Sequence, residues 1–261
     1  MRRNFRVWRT FVRASIARDL EFRANFFAKM LQNLTWFLFF FVIIQVLYAN
    51  TTTIAGWGRG SAYILTGTIT LVDSTLFMCF WGLTEIPSMV RQGTLDFLVS
   101  KPVDGLFWAS MRMFRVDTVG RMAAGISLVI WGCSIEHFAF SLPNVLAYLF
   151  LVLCAMVTFY TVMAFLMTLA VWFVRVDNLW VISDVINMTG RNPIDIWPQP
   201  TRMILTYYLP IAVIASIPAR QLRSGWSAPD LVTGLAWVIG GLVVVRLFWD
   251  WSMKHYSSAS S

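Results

Sequence analysis

Charge is scarce in this chain of 261 residues: 13% of them are Asp, Glu, Lys or Arg. A soluble domain carries roughly twice that share. Histidine is nearly absent, with only His137 and His255, far apart in sequence, which argues against a histidine-based metal or nucleophile site. The three cysteines, Cys79, Cys133 and Cys154, lie singly in apolar runs, without C-x-x-C or histidine spacing. They read as small buried hydrophobes, neither a disulfide framework nor a zinc site. No G-x-x-x-x-G-K-[ST] occurs, so no phosphate-cradling loop is encoded, and neither H-E-x-x-H nor G-x-S-x-G is present. No nucleophile and base stand together, which removes the usual grounds for an enzyme.

What remains is apolar. Hydrophobic residues make up 58% of the sequence, with 13 Trp and 21 Phe, the aromatic load of a protein solvated partly by lipid. The fold class is all-α, a polytopic membrane protein. Six apolar segments start near Phe26, Ala62, Gly120, Val145, Asn178 and Leu231, ending near Tyr48, Leu83, Phe140, Val174, Pro193 and Trp251. The fourth exceeds the roughly 20 residues a bilayer needs, so it tilts or protrudes. The fifth is the weakest, because Asp184, Asn187 and Arg191 interrupt it.

Between spans five and six, Trp197 to Arg220 is apolar but carries Pro198, Pro200, Pro210 and Pro218. One straight helix cannot hold them without losing backbone bonds, and broken backbone at membrane depth survives only inside protein. The segment reads as one or two short re-entrant helices, with Tyr207, Pro210 and Pro218 candidates for an outer gate. A separate kinked span is the alternative, and it puts the C-terminus outside.

The formal net charge of +8 is concentrated at the start of the chain, where seven Arg stand between Arg2 and Arg23. There Phe5, Trp8, Val12 and Ile16 form an apolar stripe beside Arg2, Arg6, Arg9 and Arg13. Residues 1–25 therefore read as an amphipathic helix lying on the anionic membrane face, an alternative to a plain basic anchor or a nucleic-acid-binding arm. The long basic region and long apolar run argue against a cleaved signal peptide. With the N-terminus inside, fifteen basic residues fall on cytoplasmic pieces and five (Arg59, Arg191, Arg202, Arg220, Arg223) on outer ones. Both termini are then cytoplasmic. Residues 26–256 form the six-helix unit, with a Ser-rich tail at 257–261.

Three intramembrane charges remain. Asp73 lies mid-span among Thr66, Thr68, Thr70, Ser74 and Thr75. It reads either as lining for a substrate path, with Thr70 and Asp184, or as a hydrogen-bonded residue that helps helices pack. Asp184 and Arg191, seven residues apart, share a helix face, which predicts an ion pair or an Arg191 that snorkels.

The cytoplasmic loop, about residues 86–115, contains Arg91-Gln92-Gly93-Thr94-Leu95-Asp96-Phe97-Leu98-Val99-Ser100-Lys101-Pro102-Val103-Asp104. This polar, Gly- and Pro-punctuated island reads as a partner contact or as a loop lying against the membrane. It resembles the segment between helices two and three of the type-2 ABC transporter permeases, most nearly a six-helix exporter-type branch, through Gly93, Leu95-Asp96, Phe97-Leu98 and Lys101-Pro102. A second resemblance is Arg191-Asn192-Pro193-Ile194 followed by Tyr208-Leu209-Pro210 and Ile217-Pro218, with Asn192 in place of the family's aromatic.

The resemblance covers essentially the whole chain, and it implies the following. The protein is the membrane subunit of an ATP-driven exporter in the inner (plasma) membrane, paired with an identical or related permease chain and surrounded by membrane lipids. Gln92, Gly93, Thr94, Leu95, Asp96, Phe97, Leu98, Lys101 and Pro102 form the coupling element that seats on a cytosolic ABC ATPase, present in two copies. This chain binds no cofactor itself, and ATP and Mg are held by the partner. The competing expectations are a self-sufficient secondary transporter or channel using Asp73, and an intramembrane enzyme.

Overall fold

The computed structural model describes residues 2–21, 23–96, 104–136, 138, 141–173 and 181–256. Nearly all of them are helical. An amphipathic helix α1 (Arg2–Glu21) runs into α2 (Arg23–Leu47), and a two-residue hairpin, β1 (Thr53–Ile54) with β2 (Trp57–Gly58), leads into α3 (Arg59–Phe80). The next stretch is short-jointed: a 3-10 turn at Trp81–Glu85, α4 (Ile86–Arg91) and α5 (Gly105–Met111). Long helices α6 (Val119–Glu136) and α7 (Leu142–Thr168) follow, then α8 (Val181–Gly190), α9 (Gln199–Tyr207), α10 (Ile217–Ser224) and α11 (Ala228–His255).

Hydrogen bonds fix which end of the bundle each turn occupies. Tyr48 Oη donates to the Trp57 carbonyl at 3.0 Å, and Ser61 N–H donates to Glu136 at 3.0 Å, so one end holds the α2–α3 turn and the end of α6. At the other end, Arg115 N–H donates to the Met78 carbonyl at 3.0 Å, and Trp172 donates to Ser252 Oγ at 3.0 Å while stacking on Trp251. Asp195, back beside Trp57, accepts its indole N–H at 2.9 Å. Among the described residues, α2, α3, α6, α7, α8 with its turn to Asp195, and α11 run in turn between the two ends, α8 only part of the way. Among the described residues, five helices are long and apolar enough to cross alone, and six if the bent pair after Asp195 counts as one.

The fifth passage departs from a full apolar span. Its described helix, α8, has ten residues and rises only about 15 Å. It stops at Gly190, where Pro193 forbids continuation, and irregular backbone covers the remaining distance to Asp195.

The segment after it folds back on itself. Helix α9 ends at Tyr207, the chain bends by 80°, and a wide π turn (Ala212–Ser216) runs into α10. The π turn widens the helix just before Pro218, which lacks a donor and whose ring crowds the preceding turn. Trp237, nine residues into α11, donates to the Thr206 carbonyl at 3.2 Å, so the bend reaches into the bundle. Both ends of the pair return to the Trp57 end: Asp195 there, and Arg220 and Gln221 on Asp230 at the start of α11, at 2.6 and 2.9 Å. The pair thus folds back to the end of the bundle from which it starts, as a re-entrant segment is expected to do.

Helices α3 and α6 approach closely because both carry glycine at the crossing. A Cβ on Gly67 would stand 2.6 Å from the Gly125 carbonyl oxygen, and one on Gly132 2.5 Å from that of Gly60. Small residues at such contacts let backbones meet where lipid supplies no hydrophobic drive. The main core gathers buried residues of α3, α7 and α10 with the connecting turns, including Ile69, Phe159 and Ala219.

Candidate functional site

Two places carry the polar chemistry. The first is a cavity of about 420 Å³ walled by α2, α3, α6 and α8. Asp73, Thr70 and Asp184 all line it, so the structure brings together the three residues expected to form a path. Asp73 is 1% exposed, and neither of its oxygens is idle. One forms an ion pair with Arg121 of α6, and the other accepts from Asn187 of α8 at 2.5 Å. A carboxylate this deep is tolerable only when its charge and lone pairs are met in this way.

Of the two arrangements that the spacing of Asp184 and Arg191 predicts, the ion pair is not formed. Arg191 Nη1 donates to Thr70 Oγ1 at 3.3 Å, and the guanidinium lies 3.8 Å from the Phe40 ring centroid. Arg121, counted by sequence among the cytoplasmic flanking charges, is instead the partner of Asp73. Arg121, Asn187 and Phe40 are therefore site residues that local sequence does not announce. The one legible signal was the spacing of Asp184, Asn187 and Arg191, three and then four residues apart, which places them on one helix face.

The expected gate residues do not meet at this cavity. Tyr207 is 61% exposed at the tip of the re-entrant bend. Pro210 is buried and lines a separate apolar cavity of about 710 Å³ between α7, α8 and α11. Pro218 is buried at the start of α10.

The second place is the short-jointed segment at the Trp172 end. Helix α4 stops where Gly93 adopts φ 68°, a left-handed conformation that suits glycine after a helix. Gln92 is exposed there, while Gly93, Thr94 and Asp96 are half-buried. Leu95 departs from expectation: it is 0% exposed and belongs to the main core. It anchors the turn to its own bundle and offers no surface to a partner. Phe97, Leu98, Lys101 and Pro102 lie outside the described residues.

Several contacts join the residues on either side of this turn to the bundle. Asp104 caps α5 by accepting from Phe107 N–H at 2.8 Å, and it also pairs with Arg246 of α11. Arg112 pairs with Glu85 at 2.5 Å, and Arg115 lies 4.3 Å from the Trp81 ring centroid. Tyr256, just past α11, has its phenol pushed above the ordinary value by burial and then by the negative charge of Asp96. Asp96 thus lies near the end of α11, while Asp104 ties α5 to α11.

Helix α1 braces the same end. Phe114 N–H donates to Ser15 Oγ at 3.1 Å, and Phe11 packs edge-on to Trp108 with centroids 6.2 Å apart. Arg6, Arg9 and Arg13 are exposed on the other side, and the side chain of Arg2 lies outside the described residues. The packed stripe runs through Phe11 and Ser15, while Ile16 faces outward, so the buried face is rotated from the predicted one. Glu136 is held by Ser61, and its neighbour His137 is outside the described residues. All three cysteines are free thiols, with Cys133 and Cys154 buried.

Comparison with known proteins adds one finding. The family model described as ABC-2 family transporter protein matches residues 34–260. No curated protein and no solved structure matches the chain.

Proposed function

Since the chain belongs to the ABC-2 transporter family, we propose that it is the permease subunit of an exporter in the plasma membrane, driven by a separate ABC ATPase through the turn at Gln92–Asp96. The family match over residues 34–260 is the observation that carries this reading. The sequence has no phosphate-cradling loop, so ATP and Mg belong to a partner chain. Two ATPase copies then act on two permease chains, identical or related, embedded in lipid. The Trp172 end, where α1 and the last turn of α11 lie, is the cytoplasmic one by the positive-inside rule.

The geometry favours the Gln92–Asp96 turn as the coupling contact. Its exposed rim, Gln92 with half-buried Thr94, projects from a base pinned by buried Leu95. Through Leu95 such a rim passes a push from a closing ATPase into the core of the bundle. The secondary-transporter reading is weaker. Asp73 has one oxygen on Arg121 and the other on Asn187, and a proton carrier must release such partners to bind its proton.

Co-purification tests the assignment. The chain, co-expressed with an ABC ATPase from the same source, should retain that ATPase through detergent extraction and affinity capture. A Gln92→Glu, Thr94→Arg variant should lose it while keeping the wild-type gel-filtration profile. Leu95→Ala should instead lower thermal stability, by about 2–5 kcal/mol for a buried leucine. Retention of the ATPase by the rim variant would reject the contact. Uptake of cargo by inside-out vesicles on ATP addition, and none by right-side-out vesicles, is the result expected of an exporter.

A further inference from the structure

We propose that the cavity behind α2 is a binding site for the anionic headgroup of an amphiphile, with Arg191 as its cationic anchor. A guanidinium has five N–H donors. Arg191 places one on Thr70 and lays its face against Phe40, and among the described residues it has no carboxylate partner. Most of its donors are therefore left for a ligand, in a setting where an unmatched charge is strongly disfavoured.

Among the charges that line the cavity, Arg191 is the cation with no ion pair among the described residues. Asp73 and Arg121 neutralise each other. Asp184 lines the same cavity about two helical turns from Arg191, so the anionic headgroup is held at the Arg191 end.

The opposite wall is aromatic. Trp36, Phe37, Phe40 and Phe77 line the cavity and suit an apolar chain. Helix α2 is pinned on both sides of this opening. Asn33 Nδ2 donates to the Asp117 carbonyl at 3.1 Å, and Phe41 stacks on Tyr63 with centroids 5.5 Å apart. Elsewhere α2 is mostly exposed, with Leu34, Leu38 and Phe39 facing outward, so an amphiphile reaches the cavity sideways from the bilayer. The volume, about 420 Å³, is within the range of small-molecule sites. Describing the ligand as cargo rests on the transport reading; the site itself does not.

Calorimetric titration of the purified full chain, without any ATPase, tests the site. Dodecyl phosphate should bind saturably, dodecyl trimethylammonium should not, and inorganic phosphate should bind at least a hundredfold more weakly. Arg191→Gln should weaken dodecyl phosphate at least tenfold. A second measurement keeps Arg191 in place: alkylation of a Met188→Cys protein, corrected for the wild type, should slow on adding dodecyl phosphate. Unchanged binding in Arg191→Gln, equal binding of the two amphiphiles, or no protection at position 188 overturns the site. Equal affinity for inorganic phosphate overturns the amphiphile and makes the ligand a free anion. With no ATPase present, these failures leave the transport reading intact.

Discussion

The indole N–H of Trp57 donates to the Asp195 carboxylate at 2.9 Å, joining the start of α3 to the turn that precedes the re-entrant pair. Trp57 is 0% exposed, and Asp195 also meets Arg202 of α9 at 3.2 Å. One carboxylate therefore ties three segments at a single end of the bundle.

Asp195→Ala should lower the unfolding temperature in detergent by several degrees. The loss corresponds to about 1.5–3 kcal/mol for a hydrogen bond to a charged group, plus an indole left buried without an acceptor. A thermal scan indistinguishable from wild type would mean that the tie is incidental.

The re-entrant geometry places Gln199 and Ser224, both exposed, at the same end of the bundle. Gln199→Cys and Ser224→Cys proteins in intact cells should both react with an impermeant maleimide added outside. Labelling from opposite faces would make the pair a true span and turn α11 around.

Gly67 and Gly240 make a matched pair for the packing of α3 on α6. A Cβ at Gly67 meets the Gly125 carbonyl at 2.6 Å, whereas at Gly240 nothing lies within 4 Å. Gly67→Ala should broaden or shift the gel-filtration peak and lower the melting temperature, because backbone cannot retreat as a flexible side chain can. Gly240→Ala should be neutral or slightly stabilising, since alanine is the better helix former. Equal behaviour of the two variants would refute the close contact.

Much of this was legible in sequence, and the remainder was not for identifiable reasons. Apolar length marked the long helices, and the four prolines marked the broken segment, because both signals are local. The partners of Asp73 were hidden: Arg121 and Asn187 arrive from 48 and 114 residues away, and no local period encodes such a meeting. Leu95 looked like a surface knob because it sits in a polar run, yet the positive-φ turn at Gly93 swings it inward. Asp184 and Arg191 share a face, but Thr70 and Phe40 offered Arg191 nearer company.

Tyr48 supplies a pH dependence. Burial and then the charge of Glu136 raise its pKa, and its hydroxyl donates to the Trp57 carbonyl at 3.0 Å. A raised folded value means that this contribution is fully present below the unfolded value of about 10 and is lost as pH rises through the folded one. The melting temperature of the wild type should therefore fall more steeply above pH 10 than that of Tyr48→Phe. Parallel curves would remove Tyr48 from the account.

The central claim is that this permease is driven through its Gln92–Asp96 turn by an ATPase on the Trp172 end. Reconstitution in proteoliposomes with the partner ATPase tests it most directly, by following ATP hydrolysis with wild-type chain and with the Gln92→Glu, Thr94→Arg variant. The account predicts hydrolysis that depends on the wild-type chain and falls at least tenfold with the variant, while both insert equally. Hydrolysis unchanged by the variant, or cargo movement by the chain alone on a proton gradient, would contradict it.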